Sequence, residues 1–129
     1  MRSPWIRGRL VAVLLLAAIA CSRHKPEGAP EPRPEPIPLH VKNENFLDMN
    51  VAVVISGVSR RLGQVSGNSS ADFKIDWMLT VGQSIVITAT PIGGRGFASS
   101  GALSVGEGQM IEFLVASTLR QSVATVRNP

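Results

Sequence analysis

Ser84-Ile85-Val86-Ile87-Thr88-Ala89-Thr90 is the stretch on which the fold turns. In an extended chain successive side chains alternate between two faces, so Ile85, Ile87 and Ala89 point one way and Val86, Thr88 and Thr90 the other. The first set is wholly apolar; the second mixes hydroxyls with one valine. Residues branched at Cβ lose rotamer freedom in a helix and pack well on a pleated surface, so the composition agrees with the period. The segment therefore reads as a strand with one face on a core.

The same signal recurs on both sides of it. Ile111, Phe113 and Val115 alternate with Met110, Glu112 and Leu114. Helix is the alternative over Met110–Thr118, but its β-branched and aromatic content favours strand. Apolar runs punctuated by Gly, Asn, Asp and Ser predict strands over Leu39–Asn43, Asn50–Ser56, Arg60–Val65, Ala71–Ile75, Ser84–Thr90, Ala98–Val105, Met110–Ala116 and Ser122–Arg127. Short strands at this spacing predict an all-β fold, a single small antiparallel β-sandwich of about seven or eight strands, over residues 39–129. Gly106-Glu107-Gly108-Gln109 reads as the hairpin loop between the sixth and seventh strands. Leu62 and Val65 are three apart and cannot share one face of a regular strand, so Gly63 between them marks a candidate bulge. Val51-Ala52-Val53-Val54-Ile55 is apolar on both faces, as in a central strand covered twice or in an interaction surface.

Ahead of the strands the chain changes character twice. Arg2, Arg7 and Arg9 precede the apolar run Leu10 to Ala20, the basic and hydrophobic regions of a secretory signal over residues 1–20. A spanning helix needs about 20 apolar residues, roughly twice this run, so the segment reads as an export signal. No Arg-Arg pair precedes it, which favours the general secretory route. Cys21, the one cysteine of the chain, follows at once. Residues 22–38 then carry Pro26, Pro30, Pro32, Pro34, Pro36 and Pro38, with Glu31, Arg33 and Glu35 between prolines. Proline fixes φ and lacks an amide donor, so neither helix nor sheet is expected there, only an extended polyproline II spacer. At about 3.1 Å per residue its seventeen residues reach roughly 50 Å.

Ala18-Ile19-Ala20-Cys21 resembles the lipobox of bacterial lipoproteins. The resemblance implies cleavage between Ala20 and Cys21 and a diacylglyceryl group on Cys21, often with a further acyl chain such as palmitate. Leu is usual three residues before the cysteine and Ala or Ser two before, where this chain has Ala18 and Ile19. Ala18-Ile19-Ala20 is also an A-x-A site for ordinary signal peptidase, which would leave a soluble chain with a free thiol. Each buried methylene contributes about 0.8 kcal/mol and one acyl chain binds only marginally, so two or more are what hold a protein on a membrane. Ser22, standing where enterobacterial sorting places Asp for inner-membrane retention, implies the periplasmic face of the outer membrane.

Pieces of the strand region resemble the Ig-like and transthyretin-like accessory domains of bacterial envelope proteins: Asp48-x-Asn50-Val51-x-Val53, Arg61-Leu62-Gly63-x-Val65, Ala89-x-Pro91-Ile92-Gly93 and Gly108-Gln109-x-Ile111-x-Phe113. These are turn and strand elements, so the resemblance implies a fold and brings no catalytic residue with it.

Composition narrows the function further. Thirteen basic and nine acidic residues give +4, but three of the basic ones are Arg2, Arg7 and Arg9, so ten face nine from Cys21 onward. The remaining basic residues are scattered, with Arg60-Arg61 the single adjacent pair after Leu39, which excludes a basic nucleic-acid footprint. With Cys21 the one thiol, the folded part depends on its core and not on disulfides.

Candidate chemistry is sparse. The histidines are His24, in the spacer, and His40, so a serine–histidine catalytic pair lacks partners. Gly67-Asn68-Ser69-Ser70-Ala71 lacks the last glycine of a nucleophile elbow. Asp72 and Asp76, four residues apart in an extended segment, stand about 13 Å from each other and read as solvated loop ends. Gly93-Gly94-Arg95-Gly96 has no lysine after it, unlike a phosphate loop, and reads as an inter-strand loop in which Arg95 is the candidate ligand contact. Glu44, Asp48 and Asn50 offer hard oxygen ligands for calcium; the competing account is turn chemistry, in which Asn and Asp bond nearby backbone amides. An enzyme would have to gather three of Asp48, Asp72, Asp76, Glu107, His40 and Arg95 in one pocket.

The expectation is a lipid-anchored cell-envelope protein, a non-catalytic accessory or interaction module that takes no cofactor. Its partners would be the membrane, through lipidated Cys21, and another envelope protein or a cell-wall component. Val54, Val86, Met110 and Leu114 would supply a second apolar face as the contact surface. The alternative is a periplasmic module for a small ligand or calcium.

Overall fold

The computed structural model describes Gly28 and residues 30–129. Ala20, Cys21 and the signal segment lie outside the described residues. Residues 30–36 are exposed and carry no regular secondary structure.

Eight strands follow: β1 (Ile37–Asn43), β2 (Met49–Ile55), β3 (Val58–Val65), β4 (Ser69–Ile75), β5 (Ile85–Pro91), β6 (Ala98–Leu103), β7 (Met110–Val115) and β8 (Val123–Arg127). They match the expected strands with ends displaced by one or two residues. Two four-stranded sheets result, in the orders β4-β1-β7-β8 and β3-β2-β5-β6. In the four central strands, β1, β2, β5 and β7, burial alternates strictly and places one face of each between the sheets. Ile85, Ile87 and Ala89 are buried as the opening stretch predicted, and they face Leu39, Val41, Ile111 and Phe113 of the other sheet in one apolar core.

Four details of connectivity differ from the sequence reading. β1 runs parallel to β7, with Leu39 opposite Ile111, while the other pairings are antiparallel. β1 begins at Ile37, whose side chain is buried, so Ile37 and Pro38 belong to the sheet and not to the spacer. Pro38 is tolerated because it is exposed and pairs with Lys74 of β4 alone; the ladder to β7 starts only at Leu39. The loop 104–109 is not a hairpin, because β6 pairs with β5 and β7 with β1 and β8, so it crosses from one sheet to the other. Finally, the strand order departs from that of immunoglobulin domains, where the first strand pairs with the second.

The bulge lies where Leu62 and Val65 required it. Val51 pairs with Gly63 and Ala52 with Arg61, leaving Leu62 without a partner and allowing both Leu62 and Val65 to reach the core. β2 and β3 are joined by Ser56-Gly57, both with positive φ (50° and 78°), the two-residue turn whose twist suits a hairpin. Trp77 sits in a short 3-10 turn, Trp77–Leu79, half-buried against the edge of the core.

Strand direction sorts the loops. The antiparallel and parallel registers bring the ends of β1, β3, β5 and β7 to one end of the sandwich, with the starts of β2, β4, β6 and β8. Loops 44–48, 66–68, 92–97 and 116–122 therefore gather there, and the chain enters β1 at the opposite end.

Candidate functional site

At the gathered end two asparagines are almost wholly buried, Asn43 at 1% and Asn45 at 6% exposure. A buried amide needs partners for both its nitrogen and its oxygen, and both of these have them. Asn43 Nδ2 donates to the carbonyls of Leu47 (2.8 Å) and Ser66 (3.0 Å), and its Oδ1 accepts from the amide of Asn45 (3.0 Å). Asn45 repeats the pattern: Nδ2 donates to the Ser117 carbonyl (2.8 Å) and Oδ1 accepts from the Leu47 amide (3.0 Å). Both amide-to-Oδ1 bonds span two residues, the local geometry that Asn favours in turns.

Backbone bonds complete the tie. The Glu44 amide donates to Val115 (2.8 Å), the Asn68 amide to Asn45 (2.9 Å) and the Ile92 amide to Asp48 (2.8 Å). The Asp48 carboxylate accepts from the Gly67 amide (2.9 Å) and from Gln64 Nε2 (3.2 Å). Gly67 has to be glycine here, since a Cβ would stand 2.1 Å from the carbonyl oxygen of Phe46. Loop 44–48 is thus bonded to each of the other three.

What this frame displays is apolar and cationic. Phe46 is 77% exposed, Phe97 61% and Ile92 43%, although the backbone on either side of Phe46, at Asn45 and Leu47, is bonded to Asn43. Beside Phe97 a groove of about 610 Å³ is lined by Arg95, Phe97, Ser99, Thr118, Leu119 and Arg120. Both arginines are exposed, and neither is in any of the ion pairs found among the described residues.

A second groove, about 370 Å³, lies on the outer face of the β4-β1-β7-β8 sheet, with His40, Lys42, Glu112, Leu114, Thr125 and Arg127 on its walls. Its polar side chains have partners close by. His40 Nδ1 donates to Asp72 Oδ1 (2.6 Å), Arg127 pairs with Glu112 (2.9 Å) and Lys42 with Glu44 (2.8 Å). The two grooves hold one each of the residues that an enzyme would have gathered, His40 in this one and Arg95 in the other.

The expected sites distribute as follows. Val54 and Val86 lie opposite each other on the outer face of the β3-β2-β5-β6 sheet. Met110 and Leu114 lie on the outer face of the other sheet, beside Arg127 and Val123. All four are half-buried, and they do not form one surface: alternation along a strand says which side chains leave the core, not which sheet the strand joins. The calcium candidates are likewise separated by their partners. Glu44 pairs with Lys42, Asp48 bonds Gly67 and Gln64, and Asn50 accepts from Arg61 (2.8 Å). Among the described residues no three His, Cys, Asp or Glu side chains converge. Asp76 caps the 3-10 turn by accepting from the Met78 amide (3.0 Å), Ser69 donates to the Ser66 carbonyl (2.8 Å), and Glu107 is exposed in loop 104–109.

These features define an all-β sandwich with a cross-linked loop end. No protein-family model and no curated protein matches the chain. Among solved structures it is similar to the NMR structure of a protein from Eubacterium rectale, with 15% identity and a TM-score of 0.46, covering 74% of this chain and 91% of that one.

Proposed function

We propose that this chain is a lipid-anchored cell-envelope protein, a non-catalytic interaction module that presents its cross-linked loop end to another envelope component. The observation that carries the reading is the basic and apolar export segment ending on the one cysteine, Cys21, ahead of a proline-rich stretch and a sandwich. The loop end supports the interaction half: the side chains of Asn43, Asn45 and Asp48 hold backbone, while Phe46, Ile92 and Phe97 are left to solvent. Large apolar side chains carried on loops whose backbone is held leave less freedom to be lost on contact, which favours binding. The chain enters the sandwich at Ile37, at the end of the sheets away from these loops.

Labelling of growing cells with an alkynyl fatty acid tests the anchor. Wild type takes up label and sediments with membranes; Cys21→Ser does neither. Release of the unmodified wild-type chain from vesicles by buffer alone overturns the proposal.

A further inference from the structure

We infer that the groove between Arg95–Ser99 and Thr118–Arg120 is a docking site for a short, extended, acidic segment of a partner polypeptide, one that carries an apolar side chain between carboxylates. The inference deepens the reading of the loop end as a contact surface.

Three observations select this occupant. The first is charge. The acid–base side-chain contacts among the described residues are His40–Asp72, Lys42–Glu44 and Arg127–Glu112, and neither Arg95 nor Arg120, which stand on two walls of the groove, takes part in any of them. A guanidinium presents a planar fork that matches a carboxylate in bidentate fashion. The second is the lining between them: Phe97 is largely exposed, Leu119 is half-buried, and the volume of about 610 Å³ accommodates a large side chain with its neighbours.

The third is the strand beside it. β6 is the edge of its sheet, hydrogen-bonded to β5 alone, and Ser99 near its start lines the groove. An edge strand offers unpaired backbone donors and acceptors, which another extended backbone satisfies. A sulfated glycan or an anionic lipid surface would meet the arginines but has no amide backbone to pair with β6. Polypeptide is therefore the favoured class.

The test is an NMR titration of the ¹⁵N-labelled mature chain in neutral detergent micelles. Three probes are compared: the acidic peptide acetyl-Asp-Leu-Asp-Phe-Glu-amide, its Asn/Gln counterpart, and dextran sulfate. The acidic peptide is expected to shift amides at 95–100 and 118–121 in a saturable manner, and the neutral counterpart to bind about tenfold more weakly. Arg95→Ala with Arg120→Ala is expected to lose about tenfold or more, and the corresponding pair of lysine substitutions to recover only part of it. The rest of the spectrum reports that each variant is folded. Absence of shifts at these positions, equal binding of the neutral peptide, or an equal response to dextran sulfate overturns the inference. None of these outcomes depends on acylation, so the site and the anchor fail separately.

Discussion

Where Asn43 and Asn45 lie, loops are tied to one another across long stretches of sequence; where the chain enters, they are tied mainly to themselves. The Asn45–Ser117 bond joins residues 72 apart and the Asn43–Ser66 bond residues 23 apart, both by buried donors. At the opposite end the backbone bonds are Leu79 to Asp76, Thr80 to Trp77, Gln83 to Thr80 and Gln109 to Gly106, each spanning three residues. Side-chain links that reach further there, Ser56 to Gln83 and Gln109 to Asn128, are exposed. A bond buried from water is costly to leave unmade, whereas an exposed one exchanges for water at little loss. One end is thus held in a single arrangement by the fold as a whole, and the other by local turns.

Replacing the buried amides is the most severe way to break the contrast. Asn43→Ala strands the Leu47 carbonyl and the Asn45 amide at a site 1% exposed, while the Ser66 carbonyl keeps its bond from Ser69, at about 1–3 kcal/mol for each unsatisfied group after partial relaxation. A total near 2–4 kcal/mol is expected, which lowers Tm by roughly 10 °C or more in a domain of this size. Thermal unfolding followed by circular dichroism measures it. A fall of only a degree or two would show that the loops do not depend on Asn43.

Gly67→Ala attacks the same frame through volume. The new methyl meets backbone, not a flexible side chain, so loop 44–48 has to move, at about 1–3 kcal/mol. The displacement should register as amide shift changes from Glu44 to Asp48 and little elsewhere. At the opposite end, Asp76→Ala removes one exposed capping bond and is expected to cost about 1 kcal/mol or less, with changes confined to the 3-10 turn. Native-state hydrogen exchange compares the ends without mutation. The amides of Glu44, Asn45, Asn68 and Ile92 should exchange only through large-scale opening, and those of Leu79, Thr80 and Gln83 through local fraying.

The same contrast explains what could be read from the chain beforehand. Alternation at Ile85, Ile87 and Ala89, and again at Ile111, Phe113 and Val115, is a local property, and the strands it predicts are the strands present. Even the bulge was legible, because the three-residue spacing of Leu62 and Val65 conflicts with a regular pleat. Pairing is not local. Nothing in Gly106-Glu107-Gly108-Gln109 distinguishes a hairpin loop from a crossing between sheets, since both need tight turns. Nor does alternation tell that Val54 and Val86 leave the core on one side of the molecule and Met110 and Leu114 on the other. The loop end was half visible: Asn43-Glu44-Asn45 with Asp48 is rich in oxygen, and turn chemistry is how those oxygens are used. The groove carried no local mark, because Arg95 and Arg120 are far apart in sequence and meet only through the order of the strands.

The smallest expected effect sharpens the comparison most. If the cross-linked end is a frame that displays other residues, framework and display should be separable by mutation. Arg95 and Arg120 are exposed and in none of the ion pairs among the described residues, so Arg95→Ala and Arg120→Ala are expected to leave stability within about 0.5 kcal/mol of wild type. Asn43→Ala and Gly67→Ala, which touch the groove nowhere, should shift it strongly. Chemical denaturation of the four variants decides between this division and its rival. Should the arginine variants unfold as readily as Asn43→Ala, the guanidiniums would be braces for loops 92–97 and 116–122, and the end would be a cap on the core with no surface left over for a partner.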